Sequence, residues 1–160
     1  MKEITTSFKY TLFEKITELP LEVQNLMQKA VEIRKKAYAP YSKFRVGAAI
    51  LLENGEIVEG SNQENAAYPS GLCAERVALF YAGAKYPGTK ILKIAISATS
   101  DNFVSSKPIP PCGSCRQSIS EYELNQKTPI ALFFMGEEGA IIQAHSISDL
   151  LPLSFSKENL

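Results

Sequence analysis

The nine residues Phe44 to Leu52 are apolar at almost every position, and a run this short reads as a buried strand, since a membrane span needs about 20 residues. Asn54-Gly55 follows at once, a turn pair that tolerates positive φ at both central positions, so Glu56 to Gly60 makes the return strand of a hairpin. From Leu21 to Ala37 the period is helical, with Val23, Leu26, Met27, Ala30, Val31 and Ile33 at the matching spacings. Pro20 suits the helix start, and Ala39-Pro40 ends it because the residue before proline avoids the helical region. Cys73 to Ala84 is predicted helical, Ile91 to Thr99 a strand, Cys112 to about Tyr122 a short helix, and Pro129 to Met135 and Ala140 to Ala144 two further strands. Asp149 to Pro152 suggests a last helical turn. A hairpin followed by strand–helix–strand crossovers implies a mixed sheet of about five strands covered by helices, an α/β layered sandwich.

Composition narrows what such a domain can do. The chain has 160 residues, 45% hydrophobic and 21% charged, a single-domain length with enough apolar side chains for a full core. Lys+Arg and Asp+Glu both number 17, for a net charge of zero, which removes the usual electrostatic case for binding a nucleic-acid duplex. The opening residues lack the apolar run of a signal peptide, and three cysteines are too few and too clustered for a disulfide framework. The expectation is a cytoplasmic protein with no membrane and no nucleic-acid partner. In residues 1–20, Ile4, Thr6, Phe8, Tyr10 and Leu12 alternate, which suggests an N-terminal extension serving as an edge strand or an arm. Residues 21–160 form the remaining domain.

Every cysteine lies in one of two short motifs, Cys73-Ala74-Glu75-Arg76 and Pro110-Pro111-Cys112-Gly113-Ser114-Cys115-Arg116-Gln117, each at a predicted helix start. Proline is favoured there because its missing N–H would have had no partner. Helix N-termini lower thiol pKa, and converging starts would present three thiolates, the soft ligands zinc prefers. Three protein ligands leave a fourth tetrahedral position for solvent, which marks a catalytic rather than a structural site. Cys73 and Glu75 are two apart and could not face one metal from a helix interior, a conflict that eases if Cys73 sits at the cap. Three thiolates and one zinc ion carry charge −1, which Arg76 and Arg116 could offset. Taken alone, Cys112-x-x-Cys115 also suits a redox pair or half of a structural zinc site, and Glu75 a solvated first-turn acid.

With these motifs the sequence resembles the cytidine deaminase family, in particular its small homotetrameric zinc enzymes. The resemblance extends from about Leu21 to Leu160 and includes Tyr41-Ser42-Lys43-Phe44-Arg45-Val46-Gly47-Ala48-Ala49, Asn62-Gln63-Glu64-Asn65-Ala66-Ala67-Tyr68 and Leu150-Leu151-Pro152-Leu153-Ser154-Phe155. It implies a three-layer α/β/α sandwich and one zinc ion per subunit held by Cys73, Cys112 and Cys115. It also implies Glu75 as the proton shuttle for hydrolytic deamination of cytidine and 2′-deoxycytidine in pyrimidine salvage. Asn62 and Glu64 would hydrogen-bond the ribose hydroxyls, Phe44 would pack on the pyrimidine, and the Ala74 N–H would contact its carbonyl. Phe155 would reach the site of a neighbouring subunit in a homotetramer.

Three other functions remain open at this level: a deaminase for a different nucleoside, a polynucleotide deaminase, and a catalytically silent zinc module. Asn62-x-Glu64 favours an ordinary nucleoside over the first. Cys73 and the zero net charge speak against the second, whose members generally carry histidine at the first ligand position and need basic grooves. Glu75 separates an enzyme from the third.

Overall fold

A computed structural model describes all residues from Met1 to Leu160. Its strands are β1 (Tyr10–Phe13), β2 (Phe44–Leu52), β3 (Ile57–Ser61), β4 (Ile91–Ser100), β5 (Ala131–Met135) and β6 (Ile141–Ala144), and its helices α1 (Leu21–Arg34), α2 (Ala74–Lys85) and α3 (Gly113–Gln126). The six strands form one sheet in the order β1-β6-β5-β4-β2-β3. Only β4 and β5 run parallel, joined through α3, and every other neighbouring pair is antiparallel. The sheet is mixed and covered on both faces, as expected, but it has six strands rather than about five. The added strand is β1, whose Tyr10 pairs with Ala144 and Phe13 with Ile141. Its partner lies more than a hundred residues away, so no local pattern reveals the pairing. Residues 1–9 are exposed and carry no regular structure.

The alternation of β2 explains the three layers. Ala49 and Leu51 point to one face, where Val23, Leu26, Met27 and Ala30 of α1 cover them. Ala48, Ile50 and Leu52 point to the other, against Ala74, Ala78, Leu79 and Ala82 of α2 and Ile119 of α3. A strand loaded on both faces has no polar side to show solvent, which is why its sequence reads as a continuous apolar run. Burying each of these Leu or Ile side chains contributes about 1.5–3 kcal/mol.

Several element ends differ from the sequence expectation, each for a local reason. Helix α1 stops at Arg34 because Lys35, Lys36 and Ala37 donate to carbonyls three residues back, which tightens the last turn. Helix α3 runs on to Gln126, and Lys127 ends it in the left-handed region at φ 54°. Strand β5 starts at Ala131 because Pro129 has no N–H and the Ile130 N–H goes to the Glu123 carboxylate at 2.7 Å. The turn expected at Asp149–Pro152 lies at Ile147–Asp149, set by a capping box between Ser146 and Asp149, and a further short turn follows at Lys157–Asn159.

Two glycines set how closely helices approach the sheet. A Cβ on Gly47 would stand 2.1 Å from the Ala30 carbonyl oxygen of α1. One on Gly60 would stand 2.6 Å from the Ala78 nitrogen and 2.7 Å from the Ala74 oxygen of α2. These are backbone atoms and cannot swing aside. Gly60→Ala is therefore expected to push α2 off β3 and cost about 1–3 kcal/mol. A thermal melt would register this as a fall of several degrees in Tm.

Candidate active site

Cys73 and Cys112 hold equivalent positions, each the N-cap of its helix with extended backbone (ψ 153° and 167°), and Cys115 is the third residue of α3. At the cap the side chain leaves the helical lattice, so Cys73 and Glu75 can both reach one point. The loop before Cys73 is fixed by a reciprocal backbone pair, Gln63 to Leu72 and Leu72 to Gln63, each at 2.9 Å. The three sulfurs lie within 4.8 Å of one another, with Cys73 to Cys112 at 3.8 Å and Cys112 to Cys115 at 3.5 Å. A tetrahedral zinc with Zn–S bonds of about 2.3 Å has its sulfurs about 3.8 Å apart. The donor set fits zinc in spacing as well as softness.

Glu75 sits in the first turn of α2, 5% exposed, and its Oε2 is buried without a hydrogen-bond partner. Burial pushes its carboxyl above the usual range, and the neighbouring Cys73 adds to the shift. Hydrogen bonds from Cys115 and from the Arg76 guanidinium hold the Cys73 thiol down at about 5. Cys115 moves the opposite way, because it keeps the proton it shares with Cys73 and is itself buried. Arg76 reaches the Cys73 sulfur at 4.0 Å. Arg116 does not approach the sulfurs in this way; its guanidinium donates to the carbonyls of Pro111 and Leu150.

These groups open on a cavity of about 680 Å³ lined by Phe44, Asn62, Glu64, Cys73, Glu75 and Cys112 among others, within the size range of small-molecule sites. Asn62 is braced against β2, accepting from the Val46 N–H at 2.8 Å and donating to the Phe44 carbonyl at 2.9 Å. Glu64 accepts from the Tyr41 and Ser42 N–H groups at 2.9 and 3.3 Å and from the Ser42 hydroxyl. Against the cost of partial burial, these donors hold the Glu64 carboxyl below its usual range. Ala74 is fully buried as the first residue of α2, and its side chain does not line the cavity. Phe155 is 59% exposed and lies outside the cavity of its own chain.

Tyr41, Ser42 and Tyr68 also belong to this wall, and sequence reasoning gave them no role. The available signal was Ala39-Pro40-Tyr41-Ser42-Lys43, a turn just before a buried strand, in which Lys43 adopts φ 56° and Tyr41 and Ser42 present the donors to Glu64.

Residues 21–131 match the family model described as the cytidine and deoxycytidylate deaminase zinc-binding region. The chain is 38% identical over 140 residues to a cytidine deaminase of Halalkalibacterium halodurans, covering 88% of this chain and 98% of that one. It is 40% identical over 140 residues to a cytidine deaminase of Sporosarcina psychrophila, covering 88% and 96%. Among solved structures, the 1.6 Å crystal structure of cytidine deaminase from Burkholderia pseudomallei superposes with a TM-score of 0.72 at 37% identity, covering 86% of this chain and all of that one.

The purified protein is expected to carry one zinc ion per chain by elemental analysis. Removing it with a chelator lowers Tm, because a ligand at about 1,000 times its Kd stabilises the folded state by about 4 kcal/mol. A Tm indifferent to zinc removal would contradict the three-sulfur site.

Proposed function

The chain belongs to the family of zinc-binding cytidine and deoxycytidylate deaminases, and from that premise we propose that it hydrolyses cytidine and 2′-deoxycytidine to uridine and 2′-deoxyuridine with release of ammonia. The observation that carries this reading is the buried, unpartnered Oε2 of Glu75 on the same cavity wall as Cys73 and Cys112. An orphaned carboxyl oxygen costs stability unless a substrate or solvent molecule uses it, and deamination of an aminopyrimidine needs a carboxyl there.

Cys73, Cys112 and Cys115 would hold zinc, which when bound polarises water so that it is nucleophilic near neutral pH. Glu75 accepts the proton withdrawn from the water that attacks C4. The same carboxyl delivers that proton to N3 of the ring, then takes the proton of the hydroxyl now on C4 and passes it to the departing amino group, so that the C4–N bond breaks, ammonia leaves and C4 becomes a carbonyl. A carboxyl raised by burial suits both directions of transfer, since the most effective acid–base group titrates near the working pH. Arg76 beside Cys73 offsets the surplus negative charge of three thiolates, leaving the site a stronger Lewis acid.

Asn62 and Glu64 would receive the ribose hydroxyls, an amide and a carboxylate being able to donate to and accept from groups that do both. Phe44 would pack on the pyrimidine ring, and the Ala74 N–H would contact its carbonyl. Glu64 is already oriented by Tyr41 and Ser42, so little ordering remains on binding. The family resemblance further supports a cytoplasmic homotetramer in pyrimidine salvage, with residues 21–160 as the catalytic domain and Phe155 contributing to a neighbouring subunit's site. An exposed Phe155 ring is consistent with that role. No helix is long and apolar enough to cross a membrane.

Glu75→Gln is expected to keep its zinc and lose about 10²–10⁴-fold in turnover, whereas Cys112→Ala loses both metal and activity. Zinc analysis paired with a cytidine-to-uridine assay on one preparation decides it, and full turnover by zinc-loaded Glu75→Gln would refute the proton-shuttle role. Ser42→Ala removes one of the donors that orient Glu64. The expected result is a KM about tenfold higher with kcat nearly unchanged, equivalent to losing about 1.4 kcal/mol of binding.

A further inference from the structure

Cys112 is exposed, so packing does little to fix its position. Arg116 does. Its backbone N–H bonds the Cys112 carbonyl at 2.9 Å, and its side-chain Nε donates to the Pro111 carbonyl at 2.8 Å. The first of these is the ordinary opening bond of α3, which any residue here would make; the hold that depends on arginine is the one on the peptide before Cys112. The other end of the same guanidinium donates through Nη1 to the Leu150 carbonyl at 2.7 Å, and the adjacent Gln117 donates to the Phe155 carbonyl at 2.9 Å.

Within its own chain the segment being held has little else to hold it. Leu150 packs against the core edge, but no backbone–backbone hydrogen bond involves residues 152–155, and Leu153 and Phe155 are exposed. Two side chains from the first turns of α3, the helix that carries Cys115, therefore moor the carboxyl-terminal strap.

We propose that Arg116 is a positioning residue that couples the carboxyl-terminal strap, residues 150–155, to the Cys112 turn, so that metal binding and strap docking stabilise each other. The coupling rests on the assignment of Cys112 and Cys115 as zinc ligands. The link is the planar fork of Arg116 rather than its charge. Two carbonyls on different segments are reached at once by Nε and Nη1, which a lysine ammonium cannot reproduce from one point. Linkage requires reciprocity: whatever steadies the ligand turn through Arg116 must also steady the strap, and to the same extent.

The test uses the zinc-loaded full chain and follows two quantities, zinc release to a chromophoric chelator and chymotryptic cleavage within residues 150–155, read by intact mass. In the wild type, zinc is expected to slow strap cleavage about tenfold relative to the metal-free protein, and in Arg116→Lys this protection disappears while zinc leaves about tenfold faster. Gln117→Ala frees only the Phe155 carbonyl and leaves the Arg116 link intact, so it speeds cleavage while releasing zinc more slowly than Arg116→Lys does. A strap indifferent to zinc in the wild type overturns the coupling, without reliance on any variant's folding. So does an Arg116→Lys protein with wild-type release and protection, or a Gln117→Ala protein that loses zinc faster than Arg116→Lys does. Neither readout depends on turnover, so absent cytidine turnover would count against the deaminase assignment while leaving this result standing.

Discussion

Two helix N-termini have to meet at one point for this molecule to have a site, and backbone contact makes that possible. Helix α2 lies so close on β3 that a methyl group at Gly60 has no room between the strand and the backbone of Ala74 and Ala78. The approach brings the cap of α2, and Cys73 with it, to the sheet. Helix α3 reaches the same place because it forms the crossover between the parallel pair β4 and β5. Ligand-binding crevices in α/β sheets commonly form where connections leave the carboxyl ends of strands, and here β4 leads directly into the loop before Cys112. The donors come from sites 39 residues apart in sequence, and only the sheet brings them together.

The cap position decides what those donors can do. A cysteine inside a helix projects along the lattice and shares its face with residues three or four away, which would point Cys73 and Glu75 apart. With extended backbone at the cap, the Cys73 sulfur turns to meet Cys112, and Glu75 is free to project into the cavity from the first helical turn. The partial positive charge of two helix starts bears on the sulfurs as well. Electrostatics and geometry favour the same arrangement, and a single change of backbone region at residue 73 would undo both.

Much of this was legible in the residues because it is local. The apolar run of β2, the Asn54-Gly55 turn, the helical period of α1 and the grouping of every cysteine into two helix-start motifs each follow from neighbours in sequence. What escaped notice depends on distant partners. Strand β1 falls within the segment expected to be an edge strand or an arm, but its bounds escaped notice: the alternation begins at Ile4, whereas the strand covers only Tyr10–Phe13, where β6 offers a partner. Helix α3 outran its expected end because Glu123 and Gln126 look like surface residues. Yet Glu123 accepts from Ile130 and Ile147 and Gln126 bonds both polar backbone groups of Ile91. The cysteine site was legible from two short motifs together with the family resemblance they carry, whereas the bracing of Glu64 by Tyr41 and Ser42 was not, since it joins two loops more than 20 residues apart.

The two halves of the site are stabilised by different forces, and this matters for how the site can fail. The Cys73 half stands on apolar packing, with Ala74, Ala78, Leu79 and Ala82 of α2 all buried. Such contacts are short-ranged, dense and insensitive to charge, and none of them needs a metal to form. The Cys112 half has fewer buried residues, Cys115, Ile119 and Ser120, and is held at its start by hydrogen bonds from Arg116. Each such bond contributes a modest net amount in competition with water, so this half gains most when zinc ties its sulfurs to the packed one. On the proposed function, the half that stands on packing carries Glu75 and would keep the proton acceptor in place, while Cys112 and Cys115 would supply the more adjustable ligands.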